Sequence, residues 1–353
     1  MLRQKISSSV SSLLLSLALM AITPWAVAAT DAGAEKTEAE APLTKRPGQE
    51  LQLFIENDIL AGTDRYYTNG FKLGFGVPLK TLQGLFEGPA TSVLDLLSGV
   101  EGQHHFGLFF GQNIYTPRDI SVREAQPNDR PWAAWLYLGG VAQRRQEDRL
   151  DTVEIDIGMV GPAALGEQVQ SQWHSLVGVR QPQGWDNQLP NEPAFLVSYV
   201  HKRRFGNATF DVVPHIGATL GTVMTLARAG GTLRIGHNME GFGPDTIEPG
   251  GSMLQNTRRE GERGARTDSE WYGFIGADVR YVAHNVFLDG TLFRDSPGVD
   301  SHDTVRDLRL GLSLRHKELR ISYTRIWRSE EFSTAAGGGG SQVFDSLNLG
   351  LEF

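Results

Sequence analysis

The residues of this chain with the right chemistry to act together fall in three separated stretches. Glu56, Asn57 and Asp58 end the run "ELQLFIEND", Thr68 opens "TNGFKLGFGVPL", and Gln170 and His174 stand four apart in "GPAALGEQVQSQWH". A carboxylate beside an amide and a hydroxyl is a set of hard oxygen donors of the kind calcium prefers. An imidazole, with an ordinary pKa near neutrality, can take a proton from an attacking water. Such a pair of functions could hydrolyse an ester without a serine nucleophile. Ser175 follows His174 directly, but adjacent helical residues point about 100° apart. His215 and His237 lack a serine two positions on, and Asp300-Ser301-His302 reads as a turn. Asp211 and Asp289 read as polar residues inside strands.

The elements that must position these residues are strands. Leu51, Leu53 and Ile55 share one side of the first run, and Phe71, Leu73, Phe75 and Val77 one side of the second. This period of two is expected where two faces meet different solvents. Similar runs recur at 103–112, 132–145, 149–160, 194–205, 208–221, 224–237, 270–282, 285–294, 303–315, 318–328 and 343–353, which makes thirteen with the first two. Tight turns are expected at 146–148, Gly206-Asn207, His284-Asn285 and 316–318, with long polar connections at 238–269 and 329–342. Short turns alternating with long loops indicate an outer-membrane β-barrel. The last run, "FDSLNLGLEF", is amphipathic and ends on Phe353, like the assembly signal of bacterial outer-membrane proteins.

A barrel with both termini on the periplasmic side needs an even number of strands. We therefore expect an all-β, twelve-stranded antiparallel barrel, with the Gly-rich stretch 208–237 acting as one crossing plus an irregular piece. Counted back from Phe353, the loop 238–269 falls outside the membrane, with His284-Asn285 and 316–318 as periplasmic turns. The ends of strand one, the start of strand two and the connection after residue 160 then meet at one rim.

Residues 162–177 break the alternation. Pro162 suits a first helical turn, Ala164, Leu165, Val169, Trp173, Leu176 and Val177 follow helical spacing, and Gly178 is a natural stop. Gln170 and His174 share one face. That face reads either as a solvated polar stripe or as part of a site shared with Asn57, Asp58 and Thr68 at the rim.

The remaining composition narrows the class. Residues 1–29 have the layout of a secretory signal peptide, with Arg3 and Lys5, an apolar stretch to Met20 and the small residues Ala26-Val27-Ala28. Residues 30–48 lack apolar periodicity and read as a disordered lead-in to a barrel domain over 49–353. With 33 basic and 41 acidic side chains the formal net charge is −8, and without Arg3 and Lys5 about −10, so a nucleic-acid footprint is missing. There is no cysteine and so no disulfide framework or thiolate metal site. The "AAGGGGS" at 335–341 lacks the lysine and helix of a phosphate-binding loop and reads as an outer loop.

The "END" closing strand one, "YTNG" opening strand two, "GPAALGEQVQSQWH" in a loop helix and "GWDNQL" after it resemble the lipid A 3'-O-deacylase family, the LpxR-type outer-membrane enzymes. The similarity runs through the whole mature region in order. It implies a twelve-stranded barrel with a calcium-dependent hydrolase site between the wall and an extracellular helix, and removal of the 3'-linked acyloxyacyl chain from lipid A in the outer leaflet. By motif position the family's site residues fall on Asn57, Asp58, Thr68, Gln170 and His174, with Asn57, Asp58 and Thr68 on the calcium side. Where the family pattern has an acidic residue six positions after the histidine and a tyrosine two further on, this chain has Arg180 and Pro182. Candidates for gripping the substrate are Arg118, Arg123, Arg130 and Trp185, although the Trp185 stretch could equally just return the chain to the wall. A monomer is expected. Two other classes fit the same residues: a non-enzymatic porin or adhesin, and an outer-membrane phospholipase with the same site.

Overall fold

The computed structural model describes residues 49–78, 102–247 and 269–352. The expected signal peptide, lead-in and terminal Phe353 lie outside them. The strands are β1 (Glu50–Asn57), β2 (Tyr66–Pro78), β3 (Gln103–Thr116), β4 (Ala133–Arg145), β5 (Arg149–Val160), β6 (Glu192–Arg203), β7 (Phe205–Gly206), β8 (Phe210–Gly221), β9 (Met224–His237), β10 (Ser269–Asn285), β11 (Thr304–His316), β12 (Leu319–Arg328) and β13 (Gln342–Glu352). Helix α1 (Gly166–Val177) lies between β5 and β6, and the short α2 (Val286–Asp289) follows β10.

Except for β6 and β7, neighbours in sequence pair antiparallel, and two further pairings close the sheet: β1 with β13, from Glu50↔Glu352 to Asn57↔Asp345, and β6 with β8, from Leu196↔Gly221 to Lys202↔His215. Twelve strands thus form a barrel, and β7 is an extra two-residue piece on β8. Closure pairs the ladder all round, which a wall facing hydrocarbon requires.

The two faces invert the pattern of a soluble protein. Leu73, Phe75, Leu108, Leu138 and Ile157 point outward and are exposed, while Gln52, Glu56, Lys72, Glu154, Ser198 and Arg234 point inward and are buried. The inner charges are matched: Lys72 Nζ lies 2.9 Å from Glu154 Oε1, Arg234 Nη2 2.6 Å from Asp211 Oδ2, and Arg328 Nη2 2.9 Å from Asp307 Oδ2. A buried charge left without such a partner would shift or unfold its surroundings. No helix among the described residues is long and apolar enough to cross a membrane; the strands do the crossing.

The count of twelve holds, but the topology behind it differs from the sequence reading. Residues 208–237 form two full strands, β8 and β9, turning at Thr222-Val223. The supernumerary run is 285–294. β10 continues unbroken to Asn285, whose Oδ1 then accepts the Phe287 N–H at 3.1 Å and caps α2. His284-Asn285 is therefore no tight turn and lies at the loop rim. Connection 238–268 falls at the opposite end, where Glu50 pairs with Glu352, and its described residues run into the lumen: Met239, Phe242, Asp245 and Ile247 are buried. Apolar residues in 285–294 mimic a strand because helix, strand and turn share the same short window of pattern.

Candidate active site

The site starts where β1 runs out. Asn57 Oδ1 accepts the Ile59 N–H at 2.7 Å, an Asx-type contact that turns the chain into a 3-10 turn over Ile59–Ala61, closed by Gly62 at φ 78°. Asp58 is buried beneath this turn, and its Oδ2 accepts from Thr63 Oγ1 at 2.7 Å and from the Arg65 N–H at 2.9 Å. β2 then begins with an irregularity. Its register against β3 shifts between Tyr67 and Asn69, so Thr68 is the extra residue of a bulge. Thr68 Oγ1 donates to Asp64 Oδ1 at 2.9 Å.

The second half comes from α1, which lies on the outer wall over β3 and β4. Val160 ends β5, a 3-10 turn over Pro162–Ala164 reverses the chain, and α1 stops at Gly178 with φ 70°. Gln112 on the outer face of β3 donates to the Ala164 carbonyl at 2.6 Å. Ala164 packs with Ile114, Trp132, Ala134 and Trp185, and Val169 lies against them. Gly166 lets the helix approach this closely: a Cβ there would sit 2.5 Å from the Ala134 Cβ and 2.6 Å from the Trp185 ring. Gly166, Gln170 and His174 form the buried face of α1, and Leu176 is 72% exposed. The polar stripe faces the protein, and the solvated-stripe alternative does not hold.

Asp64 is where the halves meet. Its Oδ1 also accepts from Gln170 Nε2 at 3.3 Å, and its Oδ2 lies 3.3 Å from His174 Nε2. Gln170 Oε1 in turn accepts the Trp185 indole N–H at 2.9 Å, which orients the amide with its NH₂ toward Asp64. His174 Nδ1 bonds the Arg180 carbonyl. A carbonyl can only accept, so Nδ1 carries a proton and Nε2 is the nitrogen that faces Asp64. Asn57, Asp58, Asp64, Thr68, Gln170, Trp173 and His174 line one cleft with Ile59 and Asn69. Burial pushes the Asp58 carboxyl well above its usual range, and the Asp64 charge pushes it further. Burial raises Asp64 too, against the opposing pull of His174.

All five site residues expected from the motifs, Asn57, Asp58, Thr68, Gln170 and His174, thus line one cleft. Asp64 is the cleft residue that the motifs do not mark, although "GTDRYYTNG" sets it four residues before Thr68. An aspartate in a polar loop carries no period, so only its contacts reveal it. The residues considered for substrate contact are placed differently. Trp185 is 2% exposed and stands behind α1, where it holds Gln170 instead of lining an open groove. Arg130 is fully buried beside Glu331 and over the Tyr115 ring. Arg118 is exposed at the rim with Nη2 3.0 Å from the Tyr66 hydroxyl, and Arg123 is exposed with Nη2 3.8 Å from Asp186. Arg180 meets the site through its main chain, so the identity of its side chain does not enter the His174 contact.

A family model described as "Outer membrane protein LpxR" matches residues 13–353. The chain belongs to this family. Among solved structures, LpxR from Salmonella typhimurium is similar with a TM-score of 0.68 at 20% identity, covering 86% of this chain and 100% of that one. The β domain of the Bordetella autotransporter BrkA is a looser likeness, with a TM-score of 0.39 at 10% identity over 87% of this chain and 98% of that one. No curated protein matches the sequence. The LpxR-family chain is accordingly an outer-membrane barrel, in keeping with its outward apolar face.

Proposed function

We propose that this LpxR-family barrel is an outer-membrane hydrolase that removes the 3'-linked acyloxyacyl chain of lipid A, with His174 activating the attacking water. The observation that carries the reading is the Asp64–His174 pair on the outer wall, where an acyl chain in the outer leaflet could lie. In the attack, Nε2 of His174 takes a proton from water as the water oxygen bonds the ester carbonyl carbon. Asp64 stabilises the resulting imidazolium and, through Thr68 and Gln170, is itself held in place. Collapse of the tetrahedral species breaks the bond to the sugar oxygen, and the imidazolium returns its proton there, leaving a free 3'-hydroxyl and the acyloxyacyl acid.

The donor set fits calcium. Asp58 is a buried carboxylate whose two hydrogen bonds both fall on Oδ2, Asn57 and Thr68 add neutral oxygens, and no lysine or arginine lines the cleft. No group of three or more His, Cys, Asp or Glu suited to a metal occurs among the described residues, so main-chain or water oxygens would complete the shell that Asp58, Asn57 and Thr68 begin. Calcium bound there would polarise the ester carbonyl and stabilise the charge that develops on its oxygen.

Mass spectrometry of lipid A from cells expressing the chain tests the reading. Loss of the acyloxyacyl mass with the natural sequence, absent with His174→Ala and absent under chelation, is the expected result. Unchanged lipid A in all samples would leave a non-enzymatic barrel, and lysophospholipid release would point to a phospholipase.

A further inference from the structure

The lumen holds a segment that the mechanism has not used. Residues 239–247 climb from the terminal end of the barrel, and every few residues one is tied to the wall. At the base the Met239 N–H donates to the Ala208 carbonyl at 2.9 Å, and Arg204 Nη2 donates to the Met239 carbonyl at 2.9 Å. Arg234 donates to the carbonyls of Glu240 and Gly241 at 3.2 and 3.0 Å. Gly241 and Gly243, at φ 60° and 86°, supply the left-handed turns that aim the chain inward. Phe242 packs with Leu150 and Val213, and Asp245 pairs with Lys202 at 2.5 Å. The segment arrives at Ile247, which is buried with Phe54, Tyr67 and Phe344 just inside the loop rim.

Its end touches the back of the site. The Ile247 N–H donates to Glu56 Oε1 at 2.9 Å, and the Tyr67 hydroxyl donates to Glu56 Oε2 at 2.9 Å. Glu56 immediately precedes Asn57-Asp58, and Tyr67 immediately precedes Thr68 at the bulge. Because side chains alternate across a strand, Glu56 and Tyr67 point into the lumen from the same backbone that carries the site residues. Gly70 leaves room for this arrangement: a Cβ there would lie 1.9 Å from the Tyr67 hydroxyl and 3.1 Å from the Ile247 side chain.

We infer that the lumen segment is a positioning strut: Ile247 fixes Glu56, Glu56 fixes Tyr67, and the two set the spacing between Asp58 and Thr68 across the rim. Glu56 is a positioning residue, since it touches none of the reacting groups. This rests on the proposed deacylase reading and adds a dependence on the opposite end of the barrel.

The test uses the full chain folded in outer membranes and then purified in detergent, with Glu56→Leu, Glu56→Gln and Ile247→Pro measured beside His174→Ala on lipid A. Glutamine keeps an acceptor for the Ile247 N–H, leucine does not, and proline removes the donor. A displacement of about 1 Å at a reacting group can cost on the order of 100-fold. Glu56→Leu and Ile247→Pro should therefore lower kcat by about ten- to 100-fold with KM little changed, while Glu56→Gln retains most of the activity. Folded barrel, read as heat-modifiable gel migration, should persist in all. The strut is overturned if His174→Ala is inactive but Glu56→Leu and Ile247→Pro keep their kcat, or lose it only in proportion to the folded fraction. If His174→Ala stays fully active, the deacylase reading fails instead, and with it the inference.

Discussion

Replacing Asp64 with asparagine is the sharpest perturbation of the proposed chemistry. The change is isosteric: one oxygen remains to accept from Thr68 and Gln170, but the group facing His174 Nε2 at 3.3 Å becomes an amide NH₂. It removes the charge that stabilises the imidazolium and offers a donor to the lone pair that must take the water proton. At that separation the gross Coulomb attraction is about 5 kcal/mol for an effective dielectric of about 20. Solvent reduces it, because the Asp64 side chain is 30% exposed. A hydrogen bond to a charged group is worth about 1.5–3 kcal/mol net, and we take that range for the loss. At about 1.4 kcal/mol per decade it predicts a fall in kcat of roughly ten- to 150-fold, with KM nearly unchanged. The assay is release of the acyloxyacyl acid from lipid A by purified protein across a substrate series, at two calcium concentrations. Activity of Asp64→Asn within twofold of the parent would refute the reasoning. So would a loss that excess calcium repairs in full, because Asp64 would then serve the cation and not His174.

Three further outcomes follow from the same geometry. Trp185→Phe keeps the packing behind α1 but leaves Gln170 Oε1 without its donor; an unpaired buried acceptor costs about 1–3 kcal/mol, so denaturant unfolding should show a loss of about that size while circular dichroism of the folded barrel is unchanged. Asp58 has its carboxyl raised in the fold, so the unfolded chain loses that proton first. Its contribution to stability is complete below the ordinary aspartate range and is lost as pH rises through the raised value. Asp58→Asn should accordingly raise the unfolding temperature in chelator at pH 7 more than at pH 4, while abolishing activity. Lys72→Met strands Glu154 in the lumen and should destabilise the barrel by about 3–5 kcal/mol in denaturant unfolding, with most of the loss recovered in the Lys72→Met, Glu154→Leu pair.

Much of this is legible in the sequence alone. The alternation of Leu51, Leu53 and Ile55 follows from a wall with lipid on one side, and it is local, so it survives in the sequence. Pro162 and Gly178 bracket the loop helix for equally local reasons. The site motifs "END", "YTNG" and "GPAALGEQVQSQWH" can be found because each is contiguous. The side of the membrane on which 238–269 falls depends on parity, and there the pattern misleads. An apolar window at 285–294 that reads as a strand, with 208–237 read as one crossing, keeps the total at twelve and reverses the sides of everything between them.

What the sequence determined by itself is the barrel, its approximate strand number, the loop helix and five of the side chains that line the cleft. Tertiary structure alone decided that Asp64 joins Thr68, Gln170 and His174, that Trp185 stands behind the helix, that Arg130 is buried, and that residues 239–247 fill the lumen as far as Glu56. Strand and helix periods report which solvent a residue's own face meets. Contacts between Asp64 and His174, or Glu56 and Ile247, join segments more than a hundred residues apart, and they exist only once the wall closes and sets those segments side by side.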